Sequence, residues 1–171
     1  VSITPLIAQS LEKRNLMGFI IVSTIEEIMK FLVVYILLHI NKFFNEAINE
    51  LKMNSKLTMF NDGKDLMEYL QLPDIKLPHI LFLDLNMPFK NGFECLKEIR
   101  SNNRYKDVSI AIYSTSSSEK DIEDTFIEGA NVYIKKPNNF TELKKIIKEV
   151  VNMNWQFHTS GLNIETFLFS V

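Results

Sequence analysis

Apolar residues fall along this chain in short blocks at two spacings. Ile80-Leu81-Phe82-Leu83 and the run from Val108 to Tyr113 are nearly continuous and end at polar or turn-forming residues. Such runs read as strands buried on both faces. Phe31-Leu32-Val33-Val34, Leu57-Thr58-Met59-Phe60 and Val132-Tyr133-Ile134 are shorter, β-branched or aromatic, and read as three more strands. Between the strands the spacing changes to that of helices. Phe43, Phe44, Ala47, Ile48 and Leu51 share one stripe, and Leu66, Met67 and Leu70 another that stops near Pro73. Phe93, Leu96 and Ile99, then Ile122 and Phe126, then Leu143, Ile146, Ile147 and Val150 mark three more. Ser116 with Glu119, and Asn139 with Glu142, have capping-box spacing, and Gly129 suits a helix end.

The order is β-α repeated five times. Strands that alternate with helices of this length imply a parallel sheet covered on both faces, and right-handed crossovers narrow the topology to a doubly wound one. The expected fold class is therefore α/β, a five-stranded parallel sheet in a three-layer α/β/α arrangement. Residues 30–155 are expected to form this domain, with 1–29 as an extension of unclear role and 156–171 as an aromatic tail. Trp155 at the domain's end and Phe157, Phe167, Leu168 and Phe169 of that tail are expected to pack on the domain or on a twin subunit rather than on a cofactor.

The 171 residues suffice for one domain with a sizeable core. A net charge of −2 gives no basic footprint for nucleic acid. Cys95 is the single cysteine, which excludes a disulfide framework and a cysteine-based zinc site and fits a reducing cytoplasm. His39, His79 and His158 lack metal-ligand spacing. Two apolar runs, 16–25 and 31–40, would make one membrane span only by placing Glu26, Glu27 and Lys30 near its middle. Acidic and basic groups there cost roughly 2.5–3.5 kcal/mol each, and each run alone is too short to cross. Packing on the domain, or a disordered extension, is the expectation instead.

Asp84 ends its strand, Ser114 ends the next and Lys136 follows the last, so all three are expected at the C-terminal edge of the sheet, where open α/β sheets bind ligands. A carboxylate, a hydroxyl and an ammonium together suit phosphoryl chemistry. The carboxylate can attack phosphorus, and the transferred group's oxygens need donors and cations. Alone, each has a plainer role as a turn cap, a satisfied strand-end hydroxyl or a solvated lysine. Lys136 precedes Pro137, and a cis bond there would aim its side chain inward.

These segments resemble the receiver domain of two-component response regulators. Asp84-Leu85-Asn86-Met87-Pro88 with Gly92 is similar to the phosphoacceptor loop, Ser114 to the hydroxyl residue ending the fourth strand, and Lys136-Pro137 to the Lys-Pro after the fifth. Tyr133 matches the aromatic switch position, although it also suits plain core filling. The likeness runs from about Phe43 to Asn154 and is greatest to single-domain receivers of bacterial phytochrome-type kinases. It implies a flavodoxin-like (βα)5 fold, a cytoplasmic signalling module rather than an enzyme, and a phosphoryl group accepted on Asp84 from a histidine kinase or phosphotransfer protein. It also implies Mg²⁺ on Asp84 and the backbone carbonyl of Asn86.

One family feature is missing. The acidic pair after the first strand, read back without gaps, falls on Tyr35 and Ile36; a shifted reading places it on Ser23 and Thr24, with Glu26 and Glu27 beyond. Neither supplies an Asp pair, so weak Mg²⁺ binding is expected. Two functions follow: a phosphorylatable receiver that signals by protein–protein interaction, or a pseudo-receiver that binds partners without phosphorylation.

Overall fold

The computed structural model describes residues 42–51, 57–155 and 161–169. The expected strand Phe31–Val34, the positions Tyr35 and Ile36 with their alternatives Ser23, Thr24, Glu26 and Glu27, and Phe157 lie outside them. The elements run α1 (42–50), α2 (Gly63–Gln71), β1 (Ile80–Leu83), α3 (Gly92–Ser101), a 3-10 turn (Asn103–Tyr105), β2 (Ser109–Ser114), α4 (Glu119–Ile127), β3 (Val132–Lys135), α5 (Phe140–Asn152), α6 (Ile164–Phe167) and β4 (Leu168–Phe169).

The four strands form one parallel sheet in the order β1-β2-β3-β4. Leu83 pairs with Ile112, and Ile112 with Tyr133. Alternation then assigns the faces. Leu83, Ile110, Ile112 and Tyr133 face Leu66, Met67, Leu70, Leu96 and Ile99 from α2 and α3. Phe82, Ala111, Tyr113, Val132 and Ile134 face Phe44, Ala47 and Ile48 of α1 and Leu143, Ile146, Ile147 and Val150 of α5. Helices thus cover both faces, as the two-sided apolar runs require. Leu96 and Ile147 are fully buried, and truncating such a residue to Ala costs about 2–5 kcal/mol.

Local chemistry sets the helix ends. Asp62 accepts from Asp65 N at 2.9 Å and opens α2, while Asn139 accepts from Glu142 N at 2.8 Å and opens α5 at the expected place. Gly129 ends α4 with φ +90°, a left-handed backbone that costs other residues energy. The expected Ser116 cap does not form. α4 starts after Ser118, whose side chain makes no cap bond, and the Ser116 hydroxyl instead donates to Asp121 Oδ2 at 2.5 Å. Two extra residues in the loop place Ser116 before the helix axis begins.

Leu57–Phe60 is not a strand. Leu57 and Phe60 are half-buried on opposite sides of two exposed residues, so the period-2 burial of a ladder is absent. Phe60 packs instead on Tyr69, with ring centroids 4.9 Å apart. The sheet gains a strand where none was expected. β4, from the tail, pairs in parallel with β3 through Tyr133↔Leu168 and Ile134↔Phe169. The preceding turn, α6, is held by Asn163, which accepts from Thr166 N while Thr166 Oγ1 accepts from Asn163 N. Phe167 is fully buried, 5.2 Å from Phe126 and 6.1 Å from Tyr133 by ring centroids.

The opposite, N-terminal edge of the sheet is tied by Arg100. Its guanidinium donates to the carbonyls of Gly129 (2.7 Å) and Val108 (3.1 Å) and to Asn131 Oδ1 (2.9 Å), and burial lowers its pKa.

Candidate functional site

Asp84 leaves the sheet one residue beyond β1, and the loop Leu85–Asn91 turns it back into α3. Gly92 makes the turn tight. A Cβ there would lie 2.1 Å from the Asp84 carbonyl oxygen, so no larger residue fits unless the loop moves. Asn91 then caps α3 with Glu94 in a complete capping box. Loop and helix together hold the Asp84 carboxylate at the C-terminal edge of the sheet.

Its two oxygens have separate partners. Oδ1 accepts from the backbone N–H of Asn86 at 3.0 Å. Oδ2 accepts from Lys136 Nζ at 2.5 Å, in a pair whose side chains are only 19% and 10% exposed. A charge-assisted bond so shielded from water outweighs a surface ion pair. The Lys136 amide also donates to the Ser114 carbonyl at 2.8 Å, extending the β2–β3 ladder one residue beyond the strand. No cis peptide occurs among the described residues. The lysine therefore reaches the carboxylate across a trans Lys136–Pro137 bond, without the cis form that such a bond permits.

Ser114 is fully buried, and its Oγ accepts from Ser116 N at 3.1 Å. Tyr133, three residues before Lys136, is also fully buried, and its hydroxyl donates to the Ser116 carbonyl at 3.0 Å. Burial raises the Tyr133 pKa; hydrogen bonding from Ser114 and Ser116 pulls the other way, and the charges of Asp121 and Asp84 raise it further. The structure thus joins Asp84 to Lys136 directly, and Ser114 to Tyr133 through the Ser116 backbone. Lys135 is exposed.

Four residues of the site escaped sequence reading. Tyr113 lies under Lys136, with Nζ 5.3 Å from the ring centroid. Its phenol is pushed up to about 12 by burial, with a smaller contribution from the Asp84 charge. Thr115 Oγ1 accepts from Asn86 Nδ2 at 3.4 Å. Ser116 is the backbone hub just described. Phe89 stands 91% exposed on the acceptor loop with φ +61°. The signals for Tyr113 and Thr115 were faint: each flanks Ser114 in sequence, and no motif names either.

The family of response regulator receiver domains matches residues 38–148, more than half of the chain. The chain belongs to that family. Receivers are signalling modules of two-component systems, phosphorylated as a family on an aspartate and met by histidine kinases or phosphotransfer proteins. Among curated relatives, the probable methanogenesis regulatory protein FilR2 of Methanothrix harundinacea is 29% identical over 107 residues, 61% of this chain and 69% of its own length. Response regulator Rcp1 of Synechocystis is 27% identical over 114 residues, 64% of this chain and 78% of Rcp1. Among solved structures, the phosphorylated cyanobacterial phytochrome response regulator RcpA superposes with a TM-score of 0.60 at 29% identity, covering 71% of this receiver and 87% of RcpA. The Mn(2+)-bound form of Rcp1 also scores 0.60, at 25% identity over 72% of this receiver and 88% of that chain. The expected flavodoxin-like sheet and receiver class are thereby upheld. No helix among the described residues is long and apolar enough to cross a membrane.

Receiver domains generally bind Mg²⁺, and among the described residues Asp84 and the loop that carries it offer oxygens at this edge of the sheet. Asp84 already spends one oxygen on Lys136 and one on Asn86. Among the described residues no group of three or more His, Cys, Asp or Glu side chains is placed to hold a metal. Mg²⁺ and its relatives prefer several hard oxygen ligands.

Proposed function

We propose that Asp84 is the phosphoacceptor of this receiver. The observation that carries the reading is the 2.5 Å pairing of its carboxylate with Lys136, both largely shielded from water. In the transfer, an Asp84 oxygen attacks the phosphorus of a phosphohistidine on a histidine kinase or phosphotransfer protein. The new O–P bond forms as the N–P bond breaks, and the imidazole nitrogen keeps the electron pair and takes up a proton. Lys136 opposes the charge that collects on the phosphoryl oxygens, and Ser114 supplies a hydroxyl donor one strand away. The added charge draws Ser114 toward Asp84, and Tyr133, tied to the same Ser116 backbone, transmits the shift to α4 and β3. The output is a protein–protein interaction. A cytoplasmic setting suits Cys95, fully buried and pushed up to about 11 by that burial, which makes it a poor nucleophile.

A second reading is a pseudo-receiver that binds partners without phosphorylation. The absence of a metal-holding group among the described residues favours it. Asp84 and the Asn86 carbonyl are then the only groups we assign to Mg²⁺, and weakly. Acetyl phosphate with Mg²⁺, read by intact mass, separates the two. A gain of one phosphate that Asp84→Asn abolishes supports the acceptor. No gain in the unmodified chain leaves the pseudo-receiver.

A further inference from the structure

Ser114 and Tyr113 are neighbours on β2, so their side chains leave opposite faces of the sheet. Ser114 shares the face of Ile112 and Tyr133. Tyr113 sits in the other layer, walled by Phe44 at 5.8 Å and Phe82 at 6.5 Å, both rings edge-on to it. At 8% exposure it reads as core. Its free face, however, is turned to Lys136 Nζ, 5.3 Å from the centroid. The same ammonium touches Asp84 Oδ2.

We propose that Tyr113 is a positioning residue whose ring face holds the Lys136 ammonium against the Asp84 carboxylate. The proposal rests on the reading of Asp84 as acceptor. A lysine side chain has four rotatable bonds and loses much freedom when fixed in one pose. One bond to a carboxylate fixes only its tip. A second attraction, from the ring quadrupole to the same ammonium, fixes the direction from which that tip approaches. The two edge-on aromatic neighbours hold the Tyr113 ring in turn, so the platform is rigid. Because burial keeps the phenol neutral well into alkaline pH, the partner of the ammonium is the π face and not a phenolate. A leucine here would fill the layer and satisfy the core, yet offer no such face. That difference separates positioning from packing.

The test uses the full chain as wild type, Tyr113→Leu and Tyr113→Phe, with acetyl phosphate as the probe and intact mass as the readout. Cation–π contacts of this kind correspond to about a 2- to 30-fold effect. The Leu variant should gain phosphate slower by a factor in that range, and Tyr113→Phe, which keeps the π face, should restore the rate. A second readout needs no phosphorylation: the Lys136 ε-methylene resonances should leave their ring-shifted position in the Leu variant and keep it in the Phe variant. Should Leu loosen the fold, Tyr113→Met takes its place. Equal rates in Leu and Phe variants, or unmoved Lys136 resonances in the Leu variant, overturn the proposal. A wild-type chain that gains no phosphate overturns the acceptor reading instead, and the resonances still decide whether the ring holds the lysine.

Discussion

The Tyr133 hydroxyl donates to the Ser116 carbonyl across 3.0 Å, and this single bond joins β3 to the loop that follows Ser114. The bond is part-buried, with its donor fully inside the core, so removing the donor leaves the Ser116 carbonyl short of a partner. Tyr133→Phe should lower stability by about 0.5–1.5 kcal/mol. Urea denaturation measures it as a shift of the midpoint at constant slope. It should also weaken any phosphorylation-dependent partner binding, because the loop and β3 would no longer move together.

Gly92 is the tightest point of the acceptor loop. Gly92→Ala places a methyl 2.1 Å from the Asp84 carbonyl oxygen, and the backbone must shift to admit it. Overpacking of this kind costs about 1–3 kcal/mol. Because the displaced atom belongs to Asp84, acetyl phosphate labelling should fall along with the urea midpoint.

Phe89 predicts the opposite sign. It holds φ +61° with its ring in water, so it bears left-handed strain with no packing to offset it. Asn tolerates that region far better than Phe. Phe89→Asn should stabilise the chain by up to about 1 kcal/mol, read again in urea, and reduce its exposed apolar surface.

Tyr113 sets an alkaline limit. Its folded pKa of about 12 lies above the ordinary 10, so the folded state holds the phenolic proton more tightly. This stability is fully present below pH 10 and is lost as pH rises through about 12, a fall of roughly 2 to 3 kcal/mol. Tyr113→Phe should flatten that limb of the stability profile. Cys95, pushed up to about 11, titrates in the same range in both chains, so the difference between their profiles isolates the tyrosine.

Mg²⁺ should bind the unmodified chain weakly, since Asp84 is already engaged by Lys136 and Asn86. Replacing Tyr35 and Ile36 by Asp should raise both the affinity in titration calorimetry and the rate of phosphate gain. Tight binding by the unmodified chain would contradict the expectation and call for ligands elsewhere.

The helix stripes, the two-sided strands and the meeting of Asp84 with Lys136 were legible because each rests on local rules: periodicity, and residue types at strand ends. Leu57–Phe60 misled because strand character there came from composition, while its burial does not alternate. Ser116 misled because cap spacing was right but the helix began two residues later. The Tyr113–Lys136 contact joins side chains across the sheet edge, and no spacing along the chain encodes it. β4 was invisible for a simpler reason: two residues carry no period. Its aromatic neighbours stand out in the sequence, but only the fold puts Phe167 beside Phe126 and Tyr133.

The Arg100 clamp has a mechanical consequence. One guanidinium grips the start of β2, the turn after α4 and the residue leading into β3. The base of the sheet is thereby a fulcrum. Strain introduced at the opposite edge cannot relax by sliding β2 and β3 past one another, so it must pivot their upper ends and the loops they carry. Loosening Arg100 would leave the lever arms intact while removing what they turn against.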